Sequence, residues 1–225
     1  MSKIPVYFMP GLAANPMIFE RIKLDDALFD VYYLEWELPK YKEVLEDYAK
    51  RMALYVKKEN AVLIGVSFGG ILVQEMAKFL NVQKVIIISS VKSKLEFPKR
   101  IHFARKTLVY KLIPIRLILS FGKLAQFVFG EKMSHRMQLY DTFLSVRDIY
   151  YLKWSIEKVV LWNRSRVDER VIHIHGDKDN MFPIQNIRKC VVVEGGTHVM
   201  IYTKYRWFNA NLPAIILDTK NLFYS

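Results

Sequence analysis

Three short clusters in this chain hold residue types suited to nucleophilic catalysis. The first is Gly65-Val66-Ser67-Phe68-Gly69, set directly behind the apolar run Ala61-Val62-Leu63-Ile64 and ahead of an amphipathic helical pattern. A serine at the tip of a strand-to-helix turn has a strained backbone, and the glycines Gly65 and Gly69 leave room beside it. The helix that follows points free N–H groups toward the serine's reaction zone. The second cluster, Gly176-Asp177-Lys178-Asp179, offers two carboxylates behind the strand-like Val171-Ile172-His173-Ile174-His175. The third, Glu194-Gly195-Gly196-Thr197-His198, follows the apolar Cys190-Val191-Val192-Val193. A G-x-S-x-G alone is common, and its plain reading is a strand ending in a glycine-rich turn. Serine, acid and histidine in that order, each just beyond a strand end, form a much more specific pattern.

The elements that must position these residues alternate along the chain. Ile4 to Met9 reads as a first strand, with Pro10-Gly11-Leu12 turning out of it, and Asn15-Pro16 as a helix start with asparagine as cap. Asp30 to Trp36 suggests a second strand. Apolar residues at Tyr41, Val44, Leu45, Tyr48, Met52, Tyr55 and Val56 give a helical period over 41–58. The Ala61–Ile64 strand comes next, then a helix from about Gly70 to Leu80, and a β-branched strand from Lys84 to Ser90. This alternation predicts an α/β protein with a mostly parallel sheet of about six strands and helices on both faces. A chain of 225 residues, 52% hydrophobic, suits one such domain with both sheet faces covered. Cys190 is expected to be a buried strand residue, and His173 and His175 to be buried in theirs. Trp36, Trp154, Trp162 and Trp207 are expected to serve packing.

On these motifs the chain resembles a compact α/β-hydrolase of the single-domain, lidded type. The resemblance covers most of the chain, is carried by residues 4–15, 61–90 and 171–200, and is vague in the middle. It implies a triad of Ser67 as nucleophile, His198 as base and Asp179 as the residue that orients it. The choice of Asp179 over Asp177 follows the family's G-x-x-D stretch with a proline soon after, here Pro183; Asp177 is then a turn residue. The backbone N–H groups of Leu12 and Phe68 are the implied oxyanion donors. Gly11 allows close approach of a substrate, where many relatives carry His-Gly and this chain has Pro10-Gly11. The alternation of elements breaks between about Val91 and Lys158. The resemblance assigns residues 91–157 to a helical lid inserted between core segments 1–90 and 158–225, with Leu112, Ile115, Leu119, Phe127, Tyr140 and Phe143 as candidates for the acyl pocket.

Charge is concentrated in that middle stretch. Val91 to Ser155 holds thirteen Lys and Arg against four Asp and Glu, a net +9 of the chain's +12. A solvated basic face is one reading; attraction of an anionic substrate or surface is the other. The interleaved cations and apolar residues from Leu108 to Phe129 suit a lid helix over an acyl pocket or peripheral contact with a bilayer. No nucleic-acid recognition motif accompanies the charge. The scattered histidines and single cysteine give no metal-ligand spacing, and no phosphate or dinucleotide loop is present, so no metal and no cofactor are expected. One cysteine excludes an internal disulfide, and with no signal-like N-terminus and no apolar run of about 18 residues the expected location is cytoplasmic.

The expected function is a serine hydrolase cleaving a small-molecule carboxylic ester or thioester, with anionic thioesters a variant suggested by the basic segment. Two alternatives remain open at this point: lyase-type cleavage of a carbon–carbon or carbon–oxygen bond on the same triad, and a non-catalytic binding protein on the same scaffold.

Overall fold

The computed structural model describes residues 2–114 and 146–218. Six strands, β1 (Ile4–Met9), β2 (Phe29–Tyr33), β3 (Ala61–Val66), β4 (Val82–Ile88), β5 (Val171–Gly176) and β6 (Val191–Val193), form one all-parallel sheet in the order β2-β1-β3-β4-β5-β6. Crossovers between parallel strands need connecting segments on the sheet faces. Of the helices α1 (Leu45–Ala53), α2 (Phe68–Met76), α3 (Lys99–Thr107), α4 (Ile149–Leu161), α5 (Met200–Thr203) and α6 (Tyr205–Leu217), all but α3 place buried residues in that cover, and α3 packs against α4.

The period-two alternation of each strand sorts its side chains between two cores. Tyr7, Met9, Leu63, Val85 and Ile87 face one side, where they meet Tyr48 and Met52 of α1, Ile71 and Leu72 of α2 and Trp154 of α4. Val6, Phe8, Val62, Ile64, Ile86 and Ile88 face the other, against Phe19 and against Phe208, Leu212 and Ile215 of α6. Each such buried side chain contributes on the order of 1.5–3 kcal/mol. Helices on both faces explain why β3 and β4 read as continuous apolar runs rather than as alternating ones.

Two buried charged side chains in these layers tie separate elements together. The Lys84 ammonium reaches the carbonyls of Ile215 (2.8 Å) and Ile216 (3.0 Å), capping the negative end of α6. Burial pushes that ammonium's pKa down. Buried Glu75 accepts from Trp162 Nε1 at 2.9 Å and Arg164 Nε at 3.1 Å, tying α2 to the end of α4.

Several boundaries differ from the sequence reading. The predicted helix over 41–58 shrinks to α1, because the chain turns at Lys42 (φ 55°) and the Glu43 carboxylate accepts the Lys40 N–H at 2.8 Å. The expected helix at Asn15-Pro16 is a single 3-10 turn, Pro16–Phe19, with the Asn15 side chain accepting from Met17 N. Cys190 stands one residue before β6 and is half-buried rather than a core strand residue; the burial it has pushes its thiol up to about 11. The expected division between residues 157 and 158 falls inside α4, which is continuous and packs into the first core. Ile115, Leu119, Phe127, Tyr140, Phe143 and most of the Leu108–Phe129 stretch lie outside the described residues. Among the described residues no helix is long and apolar enough to cross a membrane.

Candidate active site

Parallel strands bring their C-terminal ends to one edge of the sheet, and the three candidate side chains converge there. Ser67 follows β3 with φ 53° and ψ −118°, a conformation costing about 1–3 kcal/mol in a non-glycine residue. Its own backbone holds it there. The Ser67 N–H donates to Ile88 O at 2.9 Å, and its carbonyl accepts from Gly70 N at 3.0 Å and from Ser90 Oγ at 2.7 Å. The bend is sharp enough to press Gly65 against the Gly69–Gly70 backbone and Gly69 against the Pro10 and Met9 carbonyls, so a Cβ at either glycine would overlap main-chain atoms. α2 starts at the next residue, and Phe68 N–H, at its first position, has no intrahelical acceptor.

His198 lies between β6 and α5. Its Nε2 is 2.9 Å from Ser67 Oγ and its Nδ1 is 2.9 Å from Asp179 Oδ2. Of the two candidate carboxylates, Asp179 therefore meets the imidazole, whereas Asp177 lies in the turn with Lys178 Nζ at 4.0 Å. The Asp179 side chain is fully buried and its Oδ1 accepts from Met181 N at 2.8 Å and Phe182 N at 2.9 Å. Burial works to raise its pKa. The facing His198, the Phe182 N–H and the nearby His175 outweigh that and hold the carboxyl below its usual range, so it stands ionised. The two turns are joined directly: Lys178 N–H donates to Gly196 O at 2.9 Å, an approach that leaves no room for a Cβ at Gly176. The Phe182 ring stands edge-on to the imidazole, centroids 5.5 Å apart.

The loop after β1 closes the other side. Gly11 faces Ser67, with an added Cβ 3.6 Å from the serine Cβ, and among the described residues no backbone hydrogen bond takes the Leu12 N–H. The loop is pinned by residues that the sequence reading treated only as packing or did not single out. Trp36 Nε1–H donates to Gly11 O at 2.7 Å, Tyr151 OH of α4 accepts from Ala13 N at 3.2 Å, and Val146 N donates to Ala13 O at 3.3 Å. No local sequence signal marks Trp36 or Tyr151, since both act through tertiary contact. His175, behind Asp179, did carry one: it shares a strand face with His173 two residues earlier. Among the described residues no group of three His, Cys, Asp or Glu is arranged to hold a metal ion.

No protein-family model and no curated protein sequence matches the chain. Solved structures do. A hydrolase from Oleispira antarctica superposes with a TM-score of 0.72 at 14% identity, covering 97% of this chain and 93% of the other. A bromoperoxidase from Bacillus anthracis gives 0.70 at 16% identity over 96% and 93%. An esterase from Exiguobacterium antarcticum gives 0.68 at 18% identity, also over 96% and 93%. With its all-parallel sheet and strand order, the chain has the α/β-hydrolase fold.

Proposed function

We propose that this protein is a serine hydrolase that cleaves a carboxylic ester or thioester through an acyl-enzyme on Ser67. The observation that carries the reading is His198 placed 2.9 Å from both Ser67 Oγ and Asp179 Oδ2. In the first half-reaction His198 Nε2 takes the hydroxyl proton as Ser67 Oγ attacks the substrate carbonyl carbon. Asp179, buried and ionised, holds the ring with Nδ1–H toward itself and stabilises the imidazolium. The oxyanion that develops faces Leu12 N–H and Phe68 N–H, and one such donor is worth about 2.7–4 kcal/mol in the transition state. The imidazolium then returns its proton to the leaving alcohol or thiol. In the second half-reaction water, deprotonated by the same nitrogen, attacks the acyl-serine, and collapse of that intermediate releases the acid and restores Ser67. Esterases stand among the fold neighbours, which agrees with this chemistry without selecting a substrate.

The test is labelling by a fluorophosphonate, which reports an activated serine. The wild-type protein is expected to label covalently, and Ser67→Ala and His198→Ala to lose labelling while keeping wild-type circular dichroism. A folded wild-type protein that does not label would overturn the assignment. A series of p-nitrophenyl esters and acyl thioesters of increasing chain length then separates ester from thioester preference.

A further inference from the structure

We propose that His175, its Nε2–H turned to the Phe182 carbonyl and its Nδ1 braced by a hydrogen bond from His173, is a positioning residue that holds Asp179 and its turn where His198 needs them. The proposal rests on the reading of Ser67, His198 and Asp179 as a working triad. Both histidines lie on β5, two residues apart and therefore on the same face of the sheet, and both are fully buried. Apolar side chains would fill this space with less desolvation cost, so two imidazoles need a reason beyond volume.

Their hydrogen bonds supply one. His175 Nε2 is 2.8 Å from Phe182 O, and a carbonyl only accepts, so this nitrogen carries the hydrogen. In a neutral ring the other nitrogen is then a lone pair. His173 Nε2, 3.0 Å from His175 Nδ1, must donate to it. With His175 in that form the chain runs from His173 through His175 to Phe182, and the Ser90 backbone competes for the His173 hydrogen. Phe182 is thereby gripped at both ends, its carbonyl by His175 and its N–H by Asp179 Oδ1. The hydrogen-bearing edge of His175 also lies 3.6 Å from Asp179 Oδ2, the oxygen that meets His198. In the opposite tautomer a lone pair would face both the carbonyl and the carboxylate, and the turn would be pushed apart.

The surroundings favour neutral rings. His173 is held well below the ordinary imidazole range by burial first, then by His175 and the Lys92 ammonium, against an opposing backbone hydrogen bond at Ser90. His175 is lowered by burial and by His198, against Asp179 and the Phe182 carbonyl. Lys92 itself sits near Glu96 (3.9 Å) and donates to the Lys189 carbonyl at 2.7 Å, which keeps its charge turned partly away.

The experiment combines side-chain nitrogen NMR of the intact protein with kinetics of His175→Leu, His173→Leu and His173→Gln. In the wild type both rings are expected to appear as neutral Nε2–H tautomers that do not titrate between pH 6 and 8. Loss of the donor in His173→Leu should alter the His175 signature. It should also lower kcat by about tenfold with KM unchanged, and move the acid limb of kcat/KM to lower pH, because a displaced Asp179 supports the His198 imidazolium less. His173→Gln, which keeps an N–H donor, should recover most of this. His175→Leu should reproduce the His173→Leu pattern; if it does not fold, the His173 pair and the wild-type spectra decide. An Nδ1–H tautomer at His175, titration of either ring in that range, or folded variants with wild-type kcat and pH profile would each overturn the proposal. Failure of the wild type to react with a fluorophosphonate would instead sink the triad reading, while the spectra would still decide the histidine arrangement.

Discussion

The indole of Trp36 lies flat on the ring of Phe68, centroids 4.9 Å apart and planes 6° from parallel, while its Nε1–H holds the Gly11 carbonyl. One side chain thus touches both segments that carry the proposed oxyanion donors, the start of α2 and the loop after β1. Trp36→Phe would keep much of the stacking and remove the hydrogen bond. Its net cost in stability should be about 0.5–1.5 kcal/mol. If the bond sets the aim of Leu12 N–H, kcat should fall by about tenfold while KM holds, because the donor acts on the transition state. Steady-state kinetics beside a urea melt would separate the two effects.

The elbow gives a second contrast. At Gly69 an added Cβ overlaps the Pro10 and Met9 carbonyls, which are backbone and cannot swing aside. At Gly11 the same addition meets only the Ser67 Cβ at an ordinary 3.6 Å. Gly69→Ala should therefore destabilise the protein by about 1–3 kcal/mol and displace the serine, with a loss of activity of about a hundredfold or more. Gly11→Ala should fold with a wild-type melting temperature. Equal melting temperatures for both variants would contradict the close approach at Gly69.

For the two carboxylates of the acid turn, substitution should split cleanly. Asp179→Asn keeps the shape but loses the charge facing His198, and a drop in kcat of about 10³–10⁴-fold is expected. Asp177→Asn, which alters no contact to His198, should stay within about twofold of wild type. Comparable losses in the two would mean that the acid is not the residue the geometry selects.

Stability should also depend on pH in the range where histidine titrates. A base whose folded pKa is depressed contributes stability that is present above its unfolded pKa of about 6.5 and is lost as pH falls below it. His173 is depressed well below that value and His175 is depressed as well. Between pH 7.5 and 5.5 a group that stays neutral in the native state loses about 1.4 kcal/mol relative to the unfolded chain. His173 should then account for about 1.4 kcal/mol of acid destabilisation, with His175 acting in the same direction. Urea midpoints at the two pH values measure it, and His173→Gln should flatten the slope.

Much of this architecture was readable from pattern alone. Val85 to Ile88 and Ala61 to Ile64 are β-branched or apolar runs long enough for strands and too short for buried helices, and each is followed by turn residues. The proposed serine, acid and histidine stand out because the fold places each just past a strand end, where the sequence changes abruptly from apolar to glycine and polar residues. Local periodicity failed where tertiary chemistry intervened. Tyr41 and Val44 fit a helical period, yet Tyr41 is 81% exposed, and the backbone there follows the Glu43–Arg51 pairing instead. The pinning of Gly11 by Trp36 and of Ala13 by Tyr151 joins residues 25 and 138 positions apart, and no window of sequence contains both ends.

The pairing of β5 onto β4 has a consequence for how the protein is made. Val85–Ile88 waits for Val171–Ile174 before that half of the sheet exists. A chain emerging in order can form β1, β3 and the serine elbow early, and then carries a strained but unassisted hydroxyl. The carboxylate and the imidazole arrive only when β5 and β6 dock beside β4. On the proposed triad, reactivity should thus switch on in one step, late in synthesis, which makes covalent labelling of nascent chains a clock for the closing of the sheet.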